Sequence, residues 1–304
     1  MNVQIEQTPR IVRAAVIALL IAVIGPLGTP SATHAQDADQ VTLDRLFGSG
    51  DFFPDRFGPA RWIEDGRYTT VERTPQGMEL AAYDASTGER EILVSATDLT
   101  PAGGRPLAID DYFWSDDGTK LLVFTNSQRV WRANTRGDYW VLDLGSGSLR
   151  QIGVERPEAT LMFAKFSPDG ARVAYVSEND IFVEDMASGA VTRLTDDGSR
   201  TTINGTFDWV YEEEFFLQDG FRWSPDGSSI AYWQLDAEGV GEFLMINNTD
   251  SLYSYTIPVQ YPKAGETNSA GRVGIVSATG GRTTWVKLEG DPRQNYIARM
   301  DWAA

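Results

Sequence analysis

A β-propeller, an all-β fold made of repeated four-stranded blades, is the class that this sequence predicts, and three observations predict it. Four segments share an aromatic residue followed by a tight turn: Trp62-Ile63-Glu64-Asp65-Gly66, Trp114-Ser115-Asp116-Asp117-Gly118, Phe166-Ser167-Pro168-Asp169-Gly170 and Trp223-Ser224-Pro225-Asp226-Gly227. Their glycines stand 52, 52 and 57 residues apart, a period that suits propeller blades and is longer than most helical repeats. After the second, third and fourth turns come residues 120–124, 172–176 and 229–233, short runs dense in β-branched and aromatic side chains. That is strand composition at strand length. A single twisted β-sandwich would explain the strands but not the period.

The chain begins with Arg10 and Arg13, an apolar run over residues 14–24, then Gly25-Pro26, and a small-residue pattern ending Thr33-His34-Ala35. This is the layout of a secretory signal peptide cleaved after Ala35, residues 1–35. An uncleaved membrane signal anchor is the rival reading, but the apolar run is short for a span, which needs about 20 residues. The expected localisation is therefore secreted or periplasmic. Removal of the segment takes away Glu6, Arg10 and Arg13, a net charge of +1, and so changes the formal charge from -17 to -18.

From Arg61 onward each turn carries its own chemistry: Pro fixes φ, Asp bonds back to the backbone and Gly accepts positive φ. The strand after each turn is expected to pair with a later run, namely residues 139–144, 181–185 and 243–247. Stacked blades bury both faces of a sheet, so their strands need not alternate cleanly. The aromatic residue ahead of each turn is expected to fill the space between blades. Residues 272–277, 284–288 and 296–302 read as the opening of one more unit, which gives about five blades in all. Asn204-Gly205-Thr206 and Asn247-Asn248-Thr249 match glycosylation acceptors.

Where the period lengthens from 52 to 57, the repeat is interrupted by Asp208-Trp209-Val210-Tyr211-Glu212-Glu213-Glu214-Phe215-Phe216. Three successive carboxylates inside an apolar frame are unfavourable unless a cation meets them, because burial and like charge both oppose ionisation. Adjacent side chains on a strand point to opposite faces, whereas on a helical turn they diverge by about 100 degrees and can converge on one group. A short helix with Asp208 as its N-cap is therefore expected. A solvated acidic helix face is the alternative.

The string DWVYEEEFF resembles the glutamate motif of the dipeptidyl peptidase IV family of serine peptidases. Two further segments are similar to that family in the same order: Val130-Trp131-Arg132 with residues 138–144, and Val259-Gln260-Tyr261-Pro262-Lys263-Ala264-Gly265. The resemblance covers roughly residues 43–304. It implies that Glu213 and Glu214 bind the free ammonium of a peptide substrate and that Arg132 contacts a substrate carbonyl. For Arg132 the bland alternative is a rim salt bridge. The resemblance also implies an eight-bladed propeller followed by an α/β-hydrolase domain, so that residues 36–304 would be a partial N-terminal propeller with the hydrolase domain absent. The implied activity of the whole is a serine exopeptidase releasing X-Pro or X-Ala dipeptides. A prolyl tripeptidyl peptidase, and a non-catalytic propeller that binds peptides or partner proteins, are the other readings. The implied partners are peptides with a free N-terminus, the chain's own hydrolase domain, and a second copy in a full-length homodimer.

Composition narrows the chemistry. The chain has no cysteine, and its single histidine, His34, falls inside the signal segment. The mature chain cannot assemble a Ser-His-Asp or Cys-His system, and no serine sits in a Gly-x-Ser-x-Gly elbow, so these residues alone carry no catalytic group of that kind. Neither a metal nor a cofactor is implied. The strongly acidic balance argues against nucleic acid, whose binding needs clustered Lys and Arg.

Overall fold

The computed structural model of the protein describes residues 41–54, 57–63 and 66–303. The expected signal segment lies outside them, as do Glu64 and Asp65 of the first turn. The chain divides into two units, residues 1–56 and 57–304. The described part of the first carries one short helix, α1 (Leu43–Phe47), whose N-cap Thr42 accepts a hydrogen bond from the Arg45 backbone N–H. Among the described residues no helix is long and apolar enough to cross a membrane.

In the second unit every strand pairing is antiparallel. Its strands, in order, are β1 (Ala60–Trp62), β2 (Arg67–Thr74), β3 (Gly77–Asp84) and β4 (Arg90–Val94); β5 (Asp111–Trp114), β6 (Lys120–Arg129), β7 (Asn134–Asp143) and β8 (Ser148–Gln151); and β9 (Leu161–Phe166), β10 (Arg172–Ser177), β11 (Asp180–Asp185) and β12 (Val191–Arg193). They are followed by β13 (Thr202–Asn204), helix α2 (Trp209–Phe215), β14 (Phe221–Trp223), β15 (Ser229–Asp236), β16 (Glu242–Asn247), β17 (Tyr255–Gln260), β18 (Ala270–Ser277) and β19 (Thr284–Trp285). Four units result: the four-stranded β1–β4, β5–β8 and β9–β12, and a five-stranded fourth in which β13 and β14 both pair with β15 and the order continues to β18 and β19. The second and third join in one sheet through a short β7–β9 pairing at Gly137 and Leu161.

The all-β propeller-type fold is as the sequence predicted, and the side chains show how the blades cohere. Successive residues on a strand point to opposite faces. On β6, Leu121 and Val123 join Leu80 and Val94 of the first blade, while Leu122 and Phe124 join Val173 and Tyr175 of the third. On β10 the pattern repeats, with Ala174 and Val176 packed with Ile230, Tyr232 and Val276 of the fourth. Both faces are buried, so an unbroken apolar run is the stable pattern. The three complete turns are built alike: in each, the serine hydroxyl donates to the aspartate two residues on, at 2.6 Å in Ser115–Asp117, 2.5 Å in Ser167–Asp169 and 2.6 Å in Ser224–Asp226. Arg172 reaches from the third blade to the Gly227 carbonyl of the fourth turn, at 2.7 Å.

Four expectations are corrected. Residues 243–247 do not pair with β15; they belong to β16, which among the described residues pairs only with β17 in a separate two-stranded ribbon, and β15 pairs with β18 instead. Residues 272–277 and 284–288 do not open a further unit, because β18 and β19 complete the fourth, and no strand is found over residues 286–303. Both differences have one cause: residues 237–269 are an excursion inserted into the fourth blade, which a local reading cannot distinguish from the next repeat. Trp62 does not fill an inter-blade space but is 73% exposed, whereas Trp114, Phe166 and Trp223 do pack against the clusters between blades. Asn204, one of the two glycosylation matches, is fully buried and donates to Asp197 at 2.9 Å, so its amide is not available to a glycan.

Candidate functional site

The glutamate run stands on α2, inside a loop pinched shut at its base. Gly205 and Gly220 bond to one another there and to both backbone groups of Trp233. A Cβ on Gly220 would lie 2.6 Å from the Gly205 carbonyl carbon, so this closure requires glycine. The helix phase is set from both ends. Asp208 caps the N-terminus, accepting from the Tyr211 N–H at 3.0 Å and from the Ser269 hydroxyl at 2.6 Å. At the other end Phe216 adopts the left-handed conformation (φ 56) and its N–H returns to the Tyr211 carbonyl.

Between the caps, the helix is seated by an aromatic stripe at i, i+4 and i+8: Phe207, Tyr211 and Phe215. Phe207 and Tyr211 stack at 5.3 Å, Phe207 meets Trp233 edge-on at 5.3 Å, and Tyr296 packs on both Tyr211 and Phe215. The Tyr211 hydroxyl accepts from the Ile297 N–H at 3.1 Å. Full burial of such a ring contributes about 2–3 kcal/mol. That anchorage decides where the three glutamates go.

They go to three different environments. Glu212, on the buried flank beside Tyr211, is 7% exposed and its Oε1 has no hydrogen-bond partner. Burial, reinforced by the negative charges of Glu213 and Asp208, pushes its pKa up to about 7. Glu213 is largely sheltered, with 14% of its side chain exposed. Glu214 faces solvent. Asp208 also has a raised pKa, because its burial outweighs the hydrogen bonds it accepts.

Arg132 comes to this helix from the turn between β6 and β7, 81 residues earlier. Its Nε donates to both carboxylate oxygens of Glu213, at 2.7 and 2.6 Å, while the side chain remains 81% exposed. Because both bonds are made by Nε, neither Nη group is committed to Glu213. Trp209, the first residue of α2, tilts against Tyr261 at 4.3 Å. Beside them lies a cavity of about 180 Å³ walled by Trp131, Phe207, Asp208, Trp209 and Val259. The three sequence segments singled out above therefore meet at one place. Among the described residues, no group of three or more His, Cys, Asp or Glu is arranged to hold a metal ion.

The sequence reading placed Arg132, Glu213 and Glu214 together, and the structure brings the first two into contact with Glu214 adjoining on the helix. It did not single out Glu212. The signal was available: Glu212 stands four residues after Asp208, so the cap and the glutamate share a helix face.

Residues 115–304 match the family described as the dipeptidyl peptidase IV (DPP IV) N-terminal region. The chain belongs to the dipeptidyl peptidase IV family. It is 32% identical over 288 residues to dipeptidyl aminopeptidase B of Saccharomyces cerevisiae, a match covering 90% of this chain and 34% of that protein. To dipeptidyl peptidase 4 of Arthroderma otae it is 29% identical over 245 residues, or 78% of this chain and 30% of that one. Among solved structures, dipeptidyl peptidase 4 of Porphyromonas gingivalis superimposes with a TM-score of 0.72 at 28% identity, covering 83% of this chain and 36% of that chain. The chain thus spans about a third of the length of the curated relatives it matches, and within this family it represents the N-terminal region.

Proposed function

We propose that this chain is the substrate-gating and N-terminus-recognising propeller of a secreted dipeptidyl peptidase, a serine exopeptidase that releases X-Pro or X-Ala dipeptides. Glu213 and Glu214 bind the leading ammonium of the peptide as charge-assisted acceptors, and Arg132 orients a substrate carbonyl through its uncommitted Nη groups. The reacting serine comes from a hydrolase domain outside these residues. The distance from the carboxylates to that serine then acts as a ruler that fixes how many residues are removed.

The observation that carries this reading is the meeting of Arg132 and Glu213 across 81 residues of sequence, with Glu214 adjoining. A purely structural ion pair gains little from one partner that is mostly exposed, whereas a ligand site needs its cation and its carboxylates accessible from solvent. Secretion is supported by the layout of residues 1–35. A homodimer of the full-length protein is part of the proposal, supported by the β16–β17 ribbon, which presents Leu244, Ile246, Leu252 and Tyr253 to solvent.

The test is steady-state kinetics of the full-length enzyme with X-Pro substrates, unblocked and N-acetylated. Glu213→Ala and Glu214→Ala are each expected to lower kcat/KM for the unblocked substrate by about 30-fold or more, the consequence of about 2–5 kcal/mol for an unpaired charge. Acetylation should make the parent resemble the variants. Unchanged kinetics in both variants would remove the clamp.

A further inference from the structure

Glu212 is the one carboxylate of the run that the recognition scheme above does not use, and its surroundings are the least accommodating. It is more than nine-tenths buried, one of its oxygens has no hydrogen-bond partner, and among the described residues no Lys or Arg forms an ion pair with it. The charged groups bearing on it are few. On its own helix and cap they are Glu213 and Asp208, both acidic. From the turn after β6 comes Arg132, whose bonds go to Glu213. From the C-terminal segment, Tyr296 packs on Tyr211 and Phe215, one helical turn away. A buried carboxyl facing two anions holds its proton into the neutral range, and a carboxyl that holds a proton does not repel the next anion.

We infer that Glu212 is a positioning residue that exchanges its proton for the arriving peptide ammonium: it is a neutral acid before the ligand binds and a carboxylate afterwards. This rests on the reading of Glu213 and Glu214 as the ammonium site. The balance is simple. The peptide arrives as R-NH3+ and keeps its protons, and the Glu212 carboxyl releases one proton to solvent. The site formed by Glu212, Glu213, Glu214 and Arg132 therefore carries -1 when empty and -1 when it holds the ligand, and the released proton takes the arriving unit of positive charge away. The physical cause is the added positive charge one residue away, which lowers the cost of ionising a buried acid by replacing a repulsive neighbourhood with an attractive one. A site built this way discriminates twice, because an acetylated or otherwise neutral N-terminus brings no charge with which to ionise Glu212.

The experiment is isothermal titration calorimetry of the tripeptide Ala-Pro-Ala into the chain at pH 6.5, in two buffers of different ionisation enthalpy, which counts the protons released. With a pKa of about 7 before binding, about three quarters of a proton is expected per bound peptide, falling to near zero in Glu212→Gln with binding retained. At this pH the peptide's own amino group, with a pKa of about 8, is already protonated and contributes little. A proton count that is the same in parent and Glu212→Gln would overturn the exchange while leaving the ammonium site standing. Equal affinity for Ala-Pro-Ala and its N-acetyl form, or no binding of the unblocked peptide, would overturn the ammonium site and the exchange with it. Should Glu212→Gln not fold, carbon-13 NMR of the glutamate carboxyls in the parent decides: one resonance must move from the acid to the carboxylate position on adding peptide, and its failure to move refutes the exchange.

Discussion

In the three Ser-x-Asp-Gly turns the aspartates are fully engaged, whereas on α2 three glutamates stand together and, among the described residues, only Glu213 has a partner of opposite charge. Asp117 accepts from the Ser115 hydroxyl and from both the N–H and the hydroxyl of Thr119, and Asp226 does the same with Ser224 and Ser228. These bonds hold both carboxyls at a pKa of about 2. On α2 the Glu212 carboxyl is displaced the other way, to about 7. The same functional group is thus saturated by its own chain in one region and left under-satisfied in the other. Saturation closes a hairpin and leaves nothing over for a ligand, while the unsatisfied acid, once ionised, is a cost to the fold until a cation is brought to it.

This contrast can be broken most sharply at Glu212. Its folded pKa lies above the unfolded value, so the stability linked to its proton is fully present below about pH 4.5 and is lost as pH rises through about 7. A shift of this size corresponds to about 3 kcal/mol of stability forfeited by pH 8. Glu212→Gln, which cannot ionise, is expected to melt close to the parent at pH 5 and clearly above it at pH 8. Parallel melting curves across that window would show that the buried acid carries no such penalty.

The opposite sign is expected in the turns, with a smaller effect. The Asp117 pKa is depressed, so its contribution is present above about pH 4 and disappears as pH falls through about 2. Asp117→Ala should lower the melting temperature at pH 7 by about 1–2 °C, with parent and variant converging in acid. A deficit that persists unchanged at pH 2 would mean that the carboxylate's charge is not what the turn uses.

Much of this arrangement was legible in the sequence, for reasons that are local. A turn specifies its own residues, so the 52-residue period exposed the blades, and Asp208 ahead of Trp209 announced a helix start. What failed was non-local. The excursion that carries β16 and β17 delays the partner of β15 by more than 30 residues, and composition alone gives no hint that the strand at residues 243–247 leaves its blade. Trp62 resembles the other turn aromatics in sequence yet is exposed. On α2 the run of three glutamates is symmetric as text. Only the seating of Tyr211 on Phe207 and Tyr296 decides that the first is buried, the second sheltered beneath Arg132 and the third open to solvent.

The most direct test of the account is a crystal structure of the chain with Ala-Pro-Ala bound. The account predicts the peptide's amino nitrogen within hydrogen-bonding distance, about 2.7–3.1 Å, of carboxylate oxygens of both Glu213 and Glu214, with an Arg132 Nη group on a peptide carbonyl. A peptide bound with its amino end elsewhere, and the α2 carboxylates facing water beside it, would contradict it.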